Sequence, residues 1–95
     1  MVFISLCNWS EQGIRNVKQT TKRLDAAKKA AAKHGITIKD VFYTVGKYDF
    51  IVISEAPNAE ALSGFMLATG AQGNVHTMTM RAFTPDEMKG ILSKI

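Results

Sequence analysis

The stretch Val41-Phe42-Tyr43-Thr44-Val45-Gly46-Lys47-Tyr48-Asp49-Phe50-Ile51-Val52-Ile53-Ser54 decides the fold. Two runs of β-branched and aromatic residues flank Gly46-Lys47, which is the pattern of an antiparallel hairpin. Gly46 supplies the positive φ that a tight reversal needs. Tyr48 and Asp49, at the exit of the turn, are side chains that a bare hairpin does not require. They are therefore candidate contacts to a ligand or a partner subunit. The plainer alternative has Asp49 accepting turn amides while Tyr48 packs on a neighbouring edge.

Working outward, the spacing predicts strands over residues 2–8, 37–45, 49–55 and 74–83. Ser10 is an N-cap for a long helix in which Ile14, Val17, Leu24, Ala27 and Ala31 recur at helical spacing. Gln19-Thr20-Thr21 is its weak point, where it bends or restarts, and Gly35 stops it. Asn58 caps a second helix whose inner stripe is Leu62, Phe65, Met66 and Thr69. Thr84-Pro85-Asp86-Glu87 reads as a capping box with proline at the first helical position. It opens a short terminal helix with Met88, Ile91, Leu92 and Ile95 on one side. The order β-α-β-β-α-β plus a helix is ferredoxin-like, an α+β fold with a four-stranded antiparallel sheet, and residues 1–95 form one domain.

The formal net charge is +4, concentrated between Arg15 and Lys33. A basic stripe can track phosphates, but it is also how an amphipathic helix solvates its outer face. No recognition-helix or stacking-aromatic motif accompanies it, so nucleic acid is not the expected partner. No apolar run reaches membrane-spanning length and no leader pattern is present, so a membrane partner is not expected either. Cys7 is the single cysteine. With no disulfide or thiolate zinc site available, a reducing, cytoplasmic setting is the default expectation.

The strands do not alternate cleanly: Phe3 stands beside Ile4, and Val52 between Ile51 and Ile53. A sheet buried on one face should alternate more sharply, so its second face is expected to be covered by a partner subunit. Assigning Ile4, Leu6, Met78 and Met80 to the helix-covered core leaves Phe3, Ser5, Cys7, Thr77, Thr79 and Arg81 facing a space between sheets. Such a chamber suits a small polar or anionic molecule, with Arg81 as its cation. The alternative pairs Arg81 with Asp49 or Glu55. Trp9, at the junction of first strand and first helix, covers the pocket mouth or a subunit contact, or else serves as a hydrophobic staple.

Little else suggests chemistry. His34 and His76 are far apart in the chain, and no third ligand completes a metal site. A Cys7 nucleophile with His76 as base has no support from spacing, and an inert buried thiol is the simpler expectation. No phosphate loop is present, and no cofactor is implied.

The hairpin and last strand together carry a resemblance. Gly46 with Tyr48-Asp49, the run Phe50–Pro57, Gly73-Asn74-Val75-His76-Thr77 and Arg81-Ala82-Phe83 resemble the GYD domain family of small bacterial proteins. Ser10-Glu11-Gln12-Gly13-Ile14 is similar to the same family, while His76 stands where arginine is often expected. The resemblance implies a dimeric α/β-barrel relation and no settled activity. Residues 43–82 are also similar to the effector domain of Lrp/AsnC-type regulators, in which the corresponding hairpin lies at a subunit interface that binds amino acids. That similarity implies effector contacts from Gly46, Tyr48 and Asp49, with Asp49 suited to an ammonium group. No helix-turn-helix accompanies it here.

The leading expectation is therefore a homodimer or higher oligomer that binds an amino acid or small organic acid at a subunit interface. Its site residues would be Tyr48, Asp49, Gly46, Arg81, Tyr43 and Trp9. One rival is a cofactor-free isomerase or monooxygenase, with Tyr43, Cys7, His76 and Asp49 as acid–base groups. Another is a plain oligomerisation or partner-binding module.

Overall fold

Ser10 both ends the first strand and starts the first helix, and that double role sets the entry to the fold. Its hydroxyl accepts the Gly13 amide at 3.0 Å. The computed structural model describes residues 1–95. It contains β1 (Val2–Trp9), α1 (Glu11–Arg15), a 3₁₀ turn (Val17–Gln19), α2 (Thr20–Lys33), β2 (Thr37–Tyr43), β3 (Phe50–Glu55), α3 (Ala59–Ala71), β4 (Val75–Ala82) and α4 (Pro85–Leu92). The four strands form one antiparallel sheet in the order β2-β3-β1-β4, as the ferredoxin-like reading requires. No helix is long and apolar enough to cross a membrane.

The predicted caps form as drawn from the sequence. Asn58 Oδ1 accepts the Ala61 amide at 2.8 Å, and Thr84 and Glu87 make the reciprocal capping box. The long first helix is in fact broken earlier than its weak point, at Asn16, and restarts at Thr20. Arg23 repairs the break: its guanidinium donates to the Asn16 carbonyl at 2.9 Å and to the Gly13 carbonyl at 3.3 Å. These are acceptors that a helix end otherwise leaves to water. Ile14 and Val17, expected inside, lie on this broken segment and are exposed.

The hairpin is wider than a tight turn. Residues Thr44–Asp49 form a six-residue connection between β2 and β3, with Gly46 at φ +134° and Val45 fully exposed. A register shift between Ile38 and Asp40 marks a bulge in β2.

The faces of the sheet are reversed from the sequence assignment. Phe3, Ser5 and Cys7 are buried beneath the helices, where Phe3 joins Ala31, Leu62 and Phe65 in the core. Their cross-strand partners Thr77, Thr79 and Arg81 share that face. Ile4, Leu6, Met78 and Met80 therefore point the other way. α2 presents Ala27, Ala30 and Ala31 to the sheet, so this face accommodates the rings of Phe3 and Phe50 beside the small Ser5, Cys7 and Ser54.

α4 leaves the edge strand after Phe83 and Thr84 without covering either face. Met88, Ile91, Leu92 and Ile95 remain 40–96% exposed. The chain is accordingly elongated, with a radius of gyration of 14.4 Å. A compact domain of this length has about 12 Å.

Candidate functional site

Around the C-terminal end of β1, three segments meet. Asp49 lies at the end of the hairpin connection, where its amide donates to the Cys7 carbonyl at 2.9 Å. Its carboxylate Oδ2 accepts the Trp9 amide at 2.9 Å, which caps β1 where pairing with β3 ends. The Thr44 amide donates to the Asp49 carbonyl, and the Thr44 hydroxyl to the Tyr48 carbonyl, closing the loop on itself. The plainer sequence reading has Asp49 accept amides of its own turn; the carboxylate instead accepts one from the end of β1. Its second carboxylate oxygen makes no hydrogen bond within the protein.

Trp9, Tyr43 and Phe50 gather on the helix-facing side of this end. Trp9 stacks on Tyr43 at 6.5 Å between centroids, and Phe50 lies 5.7 Å from Trp9 and 5.9 Å from Tyr43. Gly46 and Tyr48 sit further out on the loop, with open space around Gly46 and Lys47 Nζ 5.8 Å from the Tyr48 ring centroid.

Arg81 is not part of this group. It pairs in register with Phe3, at the opposite end of β1 from Trp9. Six residues of strand put roughly 20 Å between them. Its guanidinium lies 3.1 Å from Glu87 and 4.4 Å from the Phe83 ring centroid, and it donates to the Val2 and Ala82 carbonyls. Neither Asp49 nor Glu55 is its partner. Glu55 instead meets Lys39 at 3.5 Å.

The acid–base set is likewise dispersed. Cys7 faces the helices, whereas His76, in register with Asn8, lies on the opposite face. Burial pushes the Cys7 thiol up to about 12, so it is protonated and inert at neutral pH.

Two features stand out, the first unforeseen and the second expected but with the opposite set of residues. One is a cavity of about 120 Å³ between the sheet and helices α2 and α3, reaching from Ser54 to Trp9 and Tyr43. Its sequence signal was the row of small residues, Ser5, Cys7 and Ser54, facing an alanine-rich helix. The other is the uncovered face of the sheet. There Ile4 and Leu6 lie in register with Ile53 and Ile51 on one side and with Met80 and Met78 on the other. Phe42 extends the row beside Ile51. Met78, Met80 and Phe42 are 43–57% exposed.

Close to the aromatic end, two loops interlock. The Ser10 amide donates to the Asn74 carbonyl at 2.9 Å, and the Ser10 hydroxyl donates to the Gly73 carbonyl. Gln12 Nε2 reaches the Gln72 carbonyl at 3.1 Å and Asn74 Oδ1 at 2.9 Å. A Cβ on Gly13 would stand 2.0 Å from the Asn74 carbonyl oxygen. Segments 10–13 and 72–74 therefore need each other's residue types.

The GYD domain family model matches residues 3–92. The chain belongs to the GYD domain family. Some of the residues that carried the resemblance meet at this end, Asp49 on the hairpin and Ser10–Gly13 locked to Gly73-Asn74, while Arg81-Ala82-Phe83 lies at the other end of β1. Among characterised relatives, the chain is 26% identical over 81 residues to a Thermus thermophilus protein named glutamine synthetase and cystathionine beta-lyase binding protein. That match covers 84% of this GYD chain and 85% of the relative. No solved structure matches the chain.

Proposed function

We propose that this GYD domain is a self-associating module that binds a partner protein, with no chemistry of its own. The observation that carries this reading is the open sheet face. Seven large apolar side chains (Ile4, Leu6, Phe42, Ile51, Ile53, Met78 and Met80) share it without a covering element. By strand geometry the seven sit in two rows about 7 Å apart along the strands and span about 15 Å across them. A contiguous apolar surface of that extent marks an interface.

A second copy is the occupant we assign to it. The face is its own complement under two-fold symmetry, and two such sheets stack about 10 Å apart with side chains interdigitated. The sheet alone falls short of the ~800 Å² per partner that a stable interface buries. The exposed stripe of α4 supplies the remainder by lying against the second copy. The relative's name then suggests what the assembly does: it engages a metabolic enzyme such as glutamine synthetase.

A small polar ligand at the subunit interface is the second reading. What favours it is Asp49, whose free carboxylate oxygen lies beside Trp9 and Tyr43 on a loop that also carries Gly46 and Tyr48. An amino acid's ammonium group suits that oxygen. Arg81 belongs to this reading only if a second copy brings it near.

Sedimentation equilibrium combined with pull-down of glutamine synthetase tests the first reading. The wild-type chain should sediment as a dimer and retain the enzyme. Ile53→Glu should sediment as a folded monomer. A wild-type monomer, or a dimer untouched by Ile53→Glu, would refute the interface. A dimer that ignores the enzyme would refute the choice of partner.

A further inference from the structure

We propose that the cavity beneath α2 and α3 binds a small, neutral, single-ring aromatic molecule carrying one hydrogen-bonding group, of the phenol class. The site is separate from the open sheet face and does not depend on what covers that face.

The void follows from the packing. On the floor, Ser5, Cys7 and Ser54 are small, and above them α2 contributes Ala27. Small residues facing small residues leave space that the larger Leu62 and Phe65 of α3 do not reach across to fill. At about 120 Å³ the cavity is somewhat smaller than the apolar cavities of ~150 Å³ known to take up benzene. One ring fits; a bicyclic ligand would force the helices apart.

Charge is excluded by the walls. Arg23 is the one ionisable side chain on the lining with a permanent charge, and its guanidinium is committed to two backbone carbonyls and the Thr20 hydroxyl. An ammonium guest would be desolvated with no counter-ion, and a carboxylate would find only Arg23, which would have to leave its three present acceptors to pair with it.

One buried partner is free, and it points to the class of ligand. Two buried serines lie on the wall, with Ser5 2% and Ser54 3% exposed. Ser5 Oγ is taken by Thr79 Oγ1 at 2.9 Å. Ser54 Oγ has no hydrogen-bond partner in the protein. No polar side-chain atom of the chain is both sealed off and unpaired, so the Ser54 hydroxyl faces the cavity space. Among the buried residues of the lining it is the one hydroxyl without a protein partner, the other polar residues (Thr20, Arg23, Tyr43, Thr69, Gln72, Asn74 and Thr77) being less buried, and it matches one hydroxyl or N–H on an aromatic ring. The half-exposed Tyr43, stacked with Trp9, makes the far end the entrance and lines it with rings.

Methyl-resolved NMR titration of the full chain with phenol, benzene and benzoate tests this. Phenol should perturb the Leu24, Ala27, Val41 and Val52 methyls saturably and leave Ile4, Ile53 and Met78 unmoved. Benzoate should not bind. Ser54→Ala keeps the space and loses the hydroxyl, so it should weaken phenol about five-fold while leaving benzene unchanged. Ala27→Leu should abolish both, with an unaltered Ile4 and Ile53 spectrum showing that the fold persists. Absence of saturation, shifts confined to the open face, benzoate binding as well as phenol, or indifference to Ser54→Ala would each overturn the proposal. None of these outcomes bears on the dimer, which sedimentation reads separately.

Discussion

Gly13 and Asn74 approach so closely that a side chain on the first would overlap the backbone of the second. The contact is a Cβ-to-carbonyl-oxygen distance of 2.0 Å, and the obstacle is main chain, not the end of a flexible side chain. Gly13→Ala must therefore push the β1–α1 and α3–β4 connections apart and break the Ser10–Asn74 hydrogen bond. We expect a cost of at least ~3 kcal/mol, the upper end of ordinary overpacking. For a domain of this size that lowers the melting temperature by about 12 °C or more. Gly90, with nothing within 4 Å of an added Cβ, is the control. Gly90→Ala should hold or raise helix content, since alanine is favoured over glycine in a helix by about 1 kcal/mol. Paired thermal melts of the two variants check the contrast.

Asp49 separates structure from recognition at the hairpin. Asp49→Ala leaves the partly buried Trp9 amide without its acceptor, and loss of a hydrogen bond to a charged group costs about 1.5–3 kcal/mol. Asp49→Asn keeps an oxygen for that amide and should recover most of the loss. If the free carboxylate oxygen also binds an ammonium group, Asp49→Asn would still lose amino-acid binding while remaining folded. Urea denaturation of both variants, with thermal melts against a panel of amino acids, distinguishes the two roles.

The element order, the caps and the family were legible because each rests on local chemistry. Ser10, Asn58 and Thr84 cap by virtue of their own side chains, and Gly35 and Gly73 stop helices through positive φ. Which face of the sheet meets the helices was not legible. On β1 and β4 both faces carry apolar side chains, so a period of two gives no preference, and size misled. The larger residues, Ile4, Leu6, Met78 and Met80, look like core. Yet the alanine face of α2 takes Phe3 and Phe50 along with the small Ser5, Cys7 and Ser54, and Ile4, Leu6, Met78 and Met80 are left for the open side. Arg81 was grouped with Asp49 because sequence does not give strand register, which puts it at the other end of β1 beside Glu87. The helix break at Asn16 was hidden because the acceptors it exposes are answered by Arg23, ten residues beyond Gly13.

Cys7 makes stability depend on pH in the alkaline range. In the folded chain burial raises the thiol to about 12, whereas in the unfolded chain it ionises at roughly 8.5. Above the unfolded value the unfolded state sheds a proton that the folded state retains, so folding loses ground as pH rises. The contribution is complete below about pH 8.5 and is lost progressively as pH climbs toward about 12. Cys7→Ala should flatten that decline, even though the cavity it leaves lowers stability at neutral pH. Denaturation midpoints across the range provide the measurement. In parallel, the native thiol should resist iodoacetamide at about pH 8, because the thiolate is the reactive species.

Glu87 should do the opposite, locally, at acid pH. The Thr84 backbone amide and then the Arg81 guanidinium hold its carboxyl below the ordinary range. The capping box is therefore intact above the unfolded carboxylate value of about 4.3, and is lost as pH falls through the lower folded value. Since α4 keeps its apolar stripe exposed, the loss should appear first in that helix and not as global unfolding. Protection of the Met88 and Ile91 amides against exchange should fall once pH drops below the ordinary carboxylate range, while β1 and β3 stay protected. Glu87→Gln should remove this step, because a carboxamide has no proton to gain in that range. If α4 instead lies on a second copy, wild-type protection at Met88 and Ile91 should rise with protein concentration. The acid step should then coincide with dissociation of the dimer, which ties the capping box to the assembly.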